Sequence, residues 1–147
     1  MAPDSLHVTI YADGGSRGNP GPAAAGVLIT ADDDGTVLYE GGIFLGNTTN
    51  NVAEYQAVVA GLSSATALGA TEVRVISDSE LLVRQMNGQY RVRNATLKPL
   101  HARAEALADK FARCTVQHVR REENTRADKL VNQAINAKRN VEDASNS

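Results

Sequence analysis

The sequence predicts an α/β fold, a mixed five-stranded sheet with helices on its faces, and three observations point there. Short β-branched runs interleave with long stretches of helical periodicity. The first three strands follow one another as a meander, whereas each later strand is reached through a helix, which implies parallel crossovers. Two acids, Asp13 and Asp78, fall at the C-terminal ends of strands, the edge where open α/β sheets build their sites.

Leu6 to Ala12 alternates with β-branched and aromatic residues and reads as the first strand, running into a Gly- and Pro-rich loop, Asp13 to Pro22. That loop matches neither G-x-G-x-x-G nor the phosphate-binding-loop pattern, and Pro20 and Pro22 bar the helix both need next. Ala23 to Thr30 is the second strand. Asp32-Asp33-Asp34-Gly35 is a hairpin turn with a solvated acidic tip, and Thr36 to Leu45 is the third strand. A helix from about Asn51 to Leu68 carries an apolar stripe (Val58, Leu62, Ala65) and stops at Gly69. Thr71 to Ile76 is the fourth strand, Leu81 to Met86 a short helix ended by Asn87-Gly88, and Leu97 to Ala112 an Ala-rich helix. Thr115 to Val119 is the fifth strand. The last helix starts near Asn124 and buries Ala127, Leu130, Val131, Ala134 and Ile135 at i, i+3, i+4 spacing. Residues 1–140 are expected as one domain and 141–147 as a polar tail, with no repeats, linkers or low-complexity segments.

At 147 residues the chain is long enough to bury a core without staples. Cys114 is its only cysteine, which excludes an internal disulfide and suits a reducing compartment. Met1 to Leu6 has no signal-peptide pattern and no apolar run reaches the ~20 residues that span a bilayer, so a cytoplasmic protein without membrane contact is expected. The net charge of −2 hides a split: residues 1–80 hold two basic and ten acidic residues, residues 81–147 thirteen basic and seven acidic. Between Leu81 and Ala104 there are Arg84, Arg91, Arg93, Lys98 and Arg103 and no acid. Such asymmetry suits a polyanion on one face and cations held by acids on another; the bland alternative is a solvated helix surface.

Four acids each have an ordinary explanation. Asp13 precedes Gly-Gly as a turn former; Glu54 completes a capping box in Asn51-Val52-Ala53-Glu54; Asp78 is a helix cap within Ser77-Asp78-Ser79; Asp128 closes Thr125-Arg126-Ala127-Asp128. Taken together they differ, because the topology brings all four to one sheet edge. Clustered carboxylates repel unless a cation holds them, and hard oxygen ligands suit Mg²⁺ or Mn²⁺. His7, His101 and His118 are scattered, so there is no zinc set, and there is no Gly-x-Ser-x-Gly elbow.

Asp13-Gly14-Gly15-Ser16-x-Gly18-Asn19-Pro20-Gly21, Thr49-Asn50-Asn51-x-x-Glu54, Ser77-Asp78-Ser79 and Asn124-x-x-x-Asp128 together resemble the type 1 ribonuclease H family, over residues 6 to about 137. The similarity is to its compact bacterial and archaeal subgroup, which lacks the basic protrusion. The resemblance implies a ribonuclease H-like fold with strand order 3-2-1-4-5. It also implies endonucleolytic cleavage of the RNA strand of RNA–DNA hybrids, leaving 5′-phosphate and 3′-hydroxyl ends. Asp13, Glu54, Asp78 and Asp128 match the family's metal-binding acids, for two Mg²⁺ ions ~4 Å apart with Asp13 bridging. Asn19, Asn50 and Asn51 match positions that touch the hybrid through its minor groove, where an amide can pair with a 2′-hydroxyl. Thr49 and Asn94 resemble the phosphate-binding positions.

Two departures stand out. Residues 88–98 are too few for the basic helical handle of longer family members, so grip on substrate falls to Arg91, Arg93 and the groove. The loop Val119 to Asn124 holds no histidine; Arg121 and Glu122 are the nearest substitutes by position, and His118 is read as a structural residue inside the strand. A monomer is expected, and activity on duplex RNA is left open. The competing readings are a non-catalytic nucleic-acid-binding module of the same fold and another two-metal nuclease such as a junction resolvase. The four intact acids speak against the first, the Asn50-Asn51 pair and the Asp13-Gly14-Gly15 loop against the second.

Overall fold

The computed structural model describes residues 5–142. Its strands are β1 (His7–Ser16), β2 (Gly21–Ala31), β3 (Val37–Thr48), β4 (Glu72–Ser77), β5 (Arg113–His118) and β6 (Val141–Glu142). Its helices are α1 (Asn50–Ala67), α2 (Glu80–Met86), α3 (Leu97–Ala108) and α4 (Thr125–Ala137), with a 3₁₀ turn at Arg121–Glu123.

The strands form one sheet in the order β5-β4-β1-β2-β3-β6. The expected order holds for the first five. The sixth strand is a two-residue edge: Val141 and Glu142 pair with Gly42 and Gly41, so the expected tail begins inside the sheet, and 143–147 lie outside the described residues. The β1–β2–β3 meander is antiparallel, and β1–β4 and β4–β5 are parallel, as a sheet entered through helical crossovers requires.

The period of two sorts β1 between the faces. Val8, Ile10 and Ala12 join Val27, Ile29, Val73 and Val75 beneath α1, α2 and α3, in a core with Tyr55, Val58, Leu62, Leu82 and Leu97. On the other face α4 lays Val131, Ala134 and Ile135 over Ala24. Helices therefore cover both faces, and α4 stands alone on its side among the described residues.

One boundary is corrected. The expected loop from Asp13 is strand: Asp13, Gly14, Gly15 and Ser16 pair with Gly26, Ala25, Ala24 and Ala23, which leaves only residues 17–20 as the turn. Opposed glycines and alanines carry little strand propensity, yet the ladder persists because two helices press on it from either side.

Candidate active site

β1 pairs with β4 only as far as Ala12 and Ser77. Asp13 and Asp78 are the next residues on the two strands, where the sheet splits while β1 is still held by β2. Asp13 faces the α4 side, being one residue out of phase with Ala12, and is 7% exposed.

Two glycines bring the helical acids to it. A Cβ on Gly14 would overlap the α1 backbone at Ala53 and Glu54. A Cβ on Gly26, the residue paired with Asp13, would overlap the carbonyl of Ala127 in α4. In each case the helix backbone rests on a bare strand at the residue just before, or at, the acid itself. Oxygens of Asp13, Glu54 and Asp78 consequently lie within 4.8 Å of one another, and the charge of Asp128 bears on Asp13 as well. The four line a cleft of about 330 Å³ together with Asn50, Arg17, Arg121 and Asn132.

The ordinary explanations of these acids fail on the geometry. Thr49, not Asn51, caps α1, accepting from the Val52 N–H at 3.3 Å, and Glu54 lies beyond the first turn. Ser79, not Asp78, caps α2, accepting from the Leu82 N–H at 3.2 Å. Asn124 stands at the start of α4, so Asp128 closes no capping box.

Their electrostatics follow. Burial, then the charges of Asp78, Glu54 and Asp128, push the Asp13 carboxyl up to about 8. Burial chiefly raises Glu54 to about 7; a hydrogen bond from Ser79 and the charge of Arg121 oppose the rise, and Asp78 adds to it. One Glu54 oxygen, Oε2, is buried without a hydrogen-bond partner among the described residues. A buried carboxylate oxygen without a partner, in a set of converging carboxylates, fits a divalent cation of the Mg²⁺ type.

The family model described as reverse transcriptase-like matches residues 11–134. The chain belongs to this ribonuclease H-like family. It is 48% identical over 132 residues to the bifunctional protein Rv2228c of Mycobacterium tuberculosis, covering 90% of this chain but 36% of that one. It is 41% identical to ribonuclease HI of Halobacterium salinarum, covering 87% and 64%. The chain thus spans only about a third of the mycobacterial relatives it matches. Among solved structures, the N-terminal ribonuclease H domain of Rv2228c superposes with TM-score 0.88 at 49% identity, over 90% of this chain and 96% of that one. LC11-RNase H1, solved in complex with RNA/DNA hybrid, superposes with TM-score 0.84 at 45% identity, over 89% and 98%.

In this ribonuclease H-like domain the other expected residues divide. Asn50 and Arg121 line the cleft. Asn19 reaches it through Asn50: its Oδ1 accepts from the Asn50 N–H at 3.1 Å, while Asn50 Oδ1 accepts from the Ser16 N–H at 2.8 Å. Both amides therefore spend their oxygens on the fold and keep NH₂ donors to offer. Asn51 is exposed on the same helical turn. Thr49 caps α1, and Asn94 closes the turn ahead of α3, its Oδ1 accepting from the N–H groups of Thr96 and Leu97 at 2.8 and 3.1 Å. Arg91 and Arg93 are exposed on either side of buried Val92 and do not line the cleft. Glu122 is exposed and also stands outside it. His118, expected inside a strand running to Val119 as a structural residue, is instead the last residue of β5 and is exposed, so it has no buried structural part to play.

Three residues escaped the sequence reading. Arg17 and Asn132 line the cleft, and Tyr90 is 50% exposed with the Arg84 guanidinium 5.3 Å over its ring. Asn132 had a signal, standing one turn after Asp128; the other two had none.

Proposed function

We propose that this domain cleaves the RNA strand of RNA–DNA hybrids, leaving 5′-phosphate and 3′-hydroxyl ends, with two Mg²⁺ ions for which Mn²⁺ can substitute. The observation that carries the proposal is the convergence of buried Asp13 with half-buried Glu54 and Asp78, one Glu54 oxygen being unpartnered. Asp13, Glu54, Asp78 and Asp128 would hold the ions. Once bound, such ions supply a water of lowered pKa and neutralise charge developing on the phosphate.

The chain's own groups orient the substrate. Asn50 and Asn19, their oxygens fixed by Ser16 and by the α1 backbone, present NH₂ donors to minor-groove acceptors and the 2′-hydroxyl, with Asn51 beside them. The hydroxyl of Thr49 and the amide of Asn94 remain free to donate to a backbone phosphate, and Arg91 and Arg93 supply screened attraction to it. Arg121 stands at the cleft as a cation for the departing phosphate. The domain acts as a monomer in a reducing, cytoplasmic setting; among the described residues no helix is long and apolar enough to cross a membrane.

Labelled RNA–DNA hybrid, duplex DNA and duplex RNA, digested side by side with Mg²⁺, test this. Cleavage of the hybrid RNA strand alone, or with slower cutting of duplex RNA, is expected. Binding without cleavage would support a non-catalytic module, and cutting of DNA a different nuclease.

A further inference from the structure

We propose that Arg17, in the turn between β1 and β2, is a further substrate-orienting residue that binds a phosphate oxygen of the cleaved strand. The inference rests on the hybrid-cleaving function proposed above and adds a contact that the matched motifs do not include.

Four observations place the residue. Arg17 lines the cleft with the four acids, yet no carboxylate lies within ion-pair distance of it among the described residues. Its one side-chain hydrogen bond goes to a neutral group, from Nη2 to Asn132 Oδ1 at 3.3 Å. A guanidinium has five N–H donors, so most of the fork is unspent beside an anion-binding cleft. Finally, its backbone is pinned: the Arg17 N–H donates to the Pro22 carbonyl at 2.8 Å, and Gly21 passes so close to the Arg17 carbonyl that a Cβ there would collide with it.

Asn132 explains why the cation does not collapse onto the acids. Its Nδ2 donates to the Asp128 main-chain oxygen at 3.1 Å and stands 3.5 Å from Asp128 Oδ2. The amide thus sits between guanidinium and carboxylate, accepting from the first and donating to the second. An ion pair of Arg17 with Asp128 would neutralise a ligand of the cluster; the intervening amide keeps the carboxylate for the metal and the guanidinium for the phosphodiester. Arg17 and Arg74 are the only basic residues before position 81, and Arg74 is engaged elsewhere, donating to Thr9 Oγ1 at 3.1 Å. Arg17 is therefore the one cation that the acidic half of the chain brings to this cleft.

The test measures hybrid binding in EDTA as a function of salt, with cleavage kinetics in Mg²⁺ and melting temperature in parallel, for Arg17→Ala, Arg17→Lys and Asn132→Ala. Arg17→Ala should weaken hybrid binding about tenfold and reduce the log–log salt slope by about 0.9, the contribution of one phosphate contact. KM should rise accordingly, with kcat within about threefold. Arg17→Lys should keep most of the salt slope and lose part of the affinity, since it keeps charge without the fork. Asn132→Ala should lower the salt slope in the same direction as Arg17→Ala and weaken the Mn²⁺-induced rise in melting temperature, because the guanidinium is then free to pair with Asp128. An unchanged salt slope in a folded Arg17→Ala protein overturns the assignment, as does a loss of Mn²⁺ stabilisation with no loss of hybrid affinity, which would make Arg17 a prop for Asp128. If the wild-type protein neither binds nor cuts hybrid, the underlying function fails first; if it does both and Arg17→Ala matches it, only this inference fails.

Discussion

The side-chain amide of Asn124 donates to the Ala12 carbonyl at 2.9 Å, across 112 residues of sequence, and both residues are buried. This bond ties the entry to α4 onto β1 at the last residue paired with β4, one step before Asp13. It holds the distance between Asp13 and Asp128. Asn124→Ala leaves that carbonyl without its donor, at a cost of about 1–2 kcal/mol. The stability change should come with weaker Mn²⁺ stabilisation, because the two acids lose their common tether. A variant that melts lower yet gains as much from Mn²⁺ as wild type would reduce Asn124 to a structural clip.

Asp78→Asn separates metal binding from folding. Ser79 caps α2, so the exchange removes no cap, and the fold should survive. Metal-free protein should melt at the same temperature or higher, since one like charge leaves the cluster. Hybrid cleavage should fall about 10³-fold or more. Near wild-type cleavage in Mg²⁺ would sink the metal-site assignment.

The raised carboxyl of Asp13 makes a pH prediction. Its folded value of about 8 lies above the ordinary value of 3.8, so across that window the unfolded chain binds fewer protons than the native one. Stability of the metal-free protein should therefore be fully present below about pH 4 for this group and be lost as pH rises toward 8. The loss is at most about 1.4 kcal/mol per pH unit. Glu54, raised to about 7, adds to it in the lower part of the window. Melting in EDTA between pH 5 and 8.5 should show a falling trend that Asp13→Asn flattens and millimolar Mg²⁺ opposes by binding the native state. Parallel curves for wild type and Asp13→Asn would contradict the shift.

Glu40 on β3 is buried and meets Arg126 of α4 in a two-pronged contact, Nε to Oε2 at 2.9 Å and Nη2 to Oε1 at 3.1 Å. Arg126→Ala would strand a buried carboxylate. Breaking such pairs costs about 3–5 kcal/mol when both partners are buried, and Arg126 is half exposed, so about 2 kcal/mol is expected. Adding Glu40→Gln should restore part of the loss. If chemical denaturation shows Arg126→Ala as stable as wild type, α4 is held by its apolar stripe alone.

How much of this was legible in the sequence depends on the residue. The four acids were, because periodicity puts each near an expected strand end or helix start, although Asp13 proves to lie within β1 and Glu54 beyond the first turn of α1. Strand order came through the resemblance, and the helical crossovers already required parallel pairing. The extension of β1 through Asp13 to Ser16 was not legible, since Gly14 and Gly15 look like a loop until α1 is seen resting on Gly14. The caps were misplaced by one or two residues for the same reason, Thr49 and Asn51 offering the backbone equivalent oxygens. β6 escaped because two residues carry no period. Arg17 and Asn132 escaped because their partnership spans 115 positions and exists only once α4 lies beside the first turn.

The loop without a histidine gives the last prediction, and the structure has narrowed its candidates. All three are exposed, but Arg121 lines the cleft and its charge opposes the rise of Glu54, whereas Glu122 and His118 stand outside the lining. A cation at that position can hold the departing phosphate but cannot shuttle a proton, so the help it gives is electrostatic rather than acid–base. Arg121→Ala should therefore lower turnover about 10²-fold without abolishing cleavage, Arg121→Lys should recover part of it, and the pH profile should keep its shape. Glu122→Gln and His118→Ala should stay within about threefold of wild type, with stability changes of no more than about 0.5 kcal/mol, as for exposed positions generally. Single-turnover and steady-state rates on the same hybrid distinguish slowed chemistry from slowed release. A folded His118→Ala protein that no longer cleaves would show that the end of β5, and not the 3₁₀ turn after it, supplies the missing group.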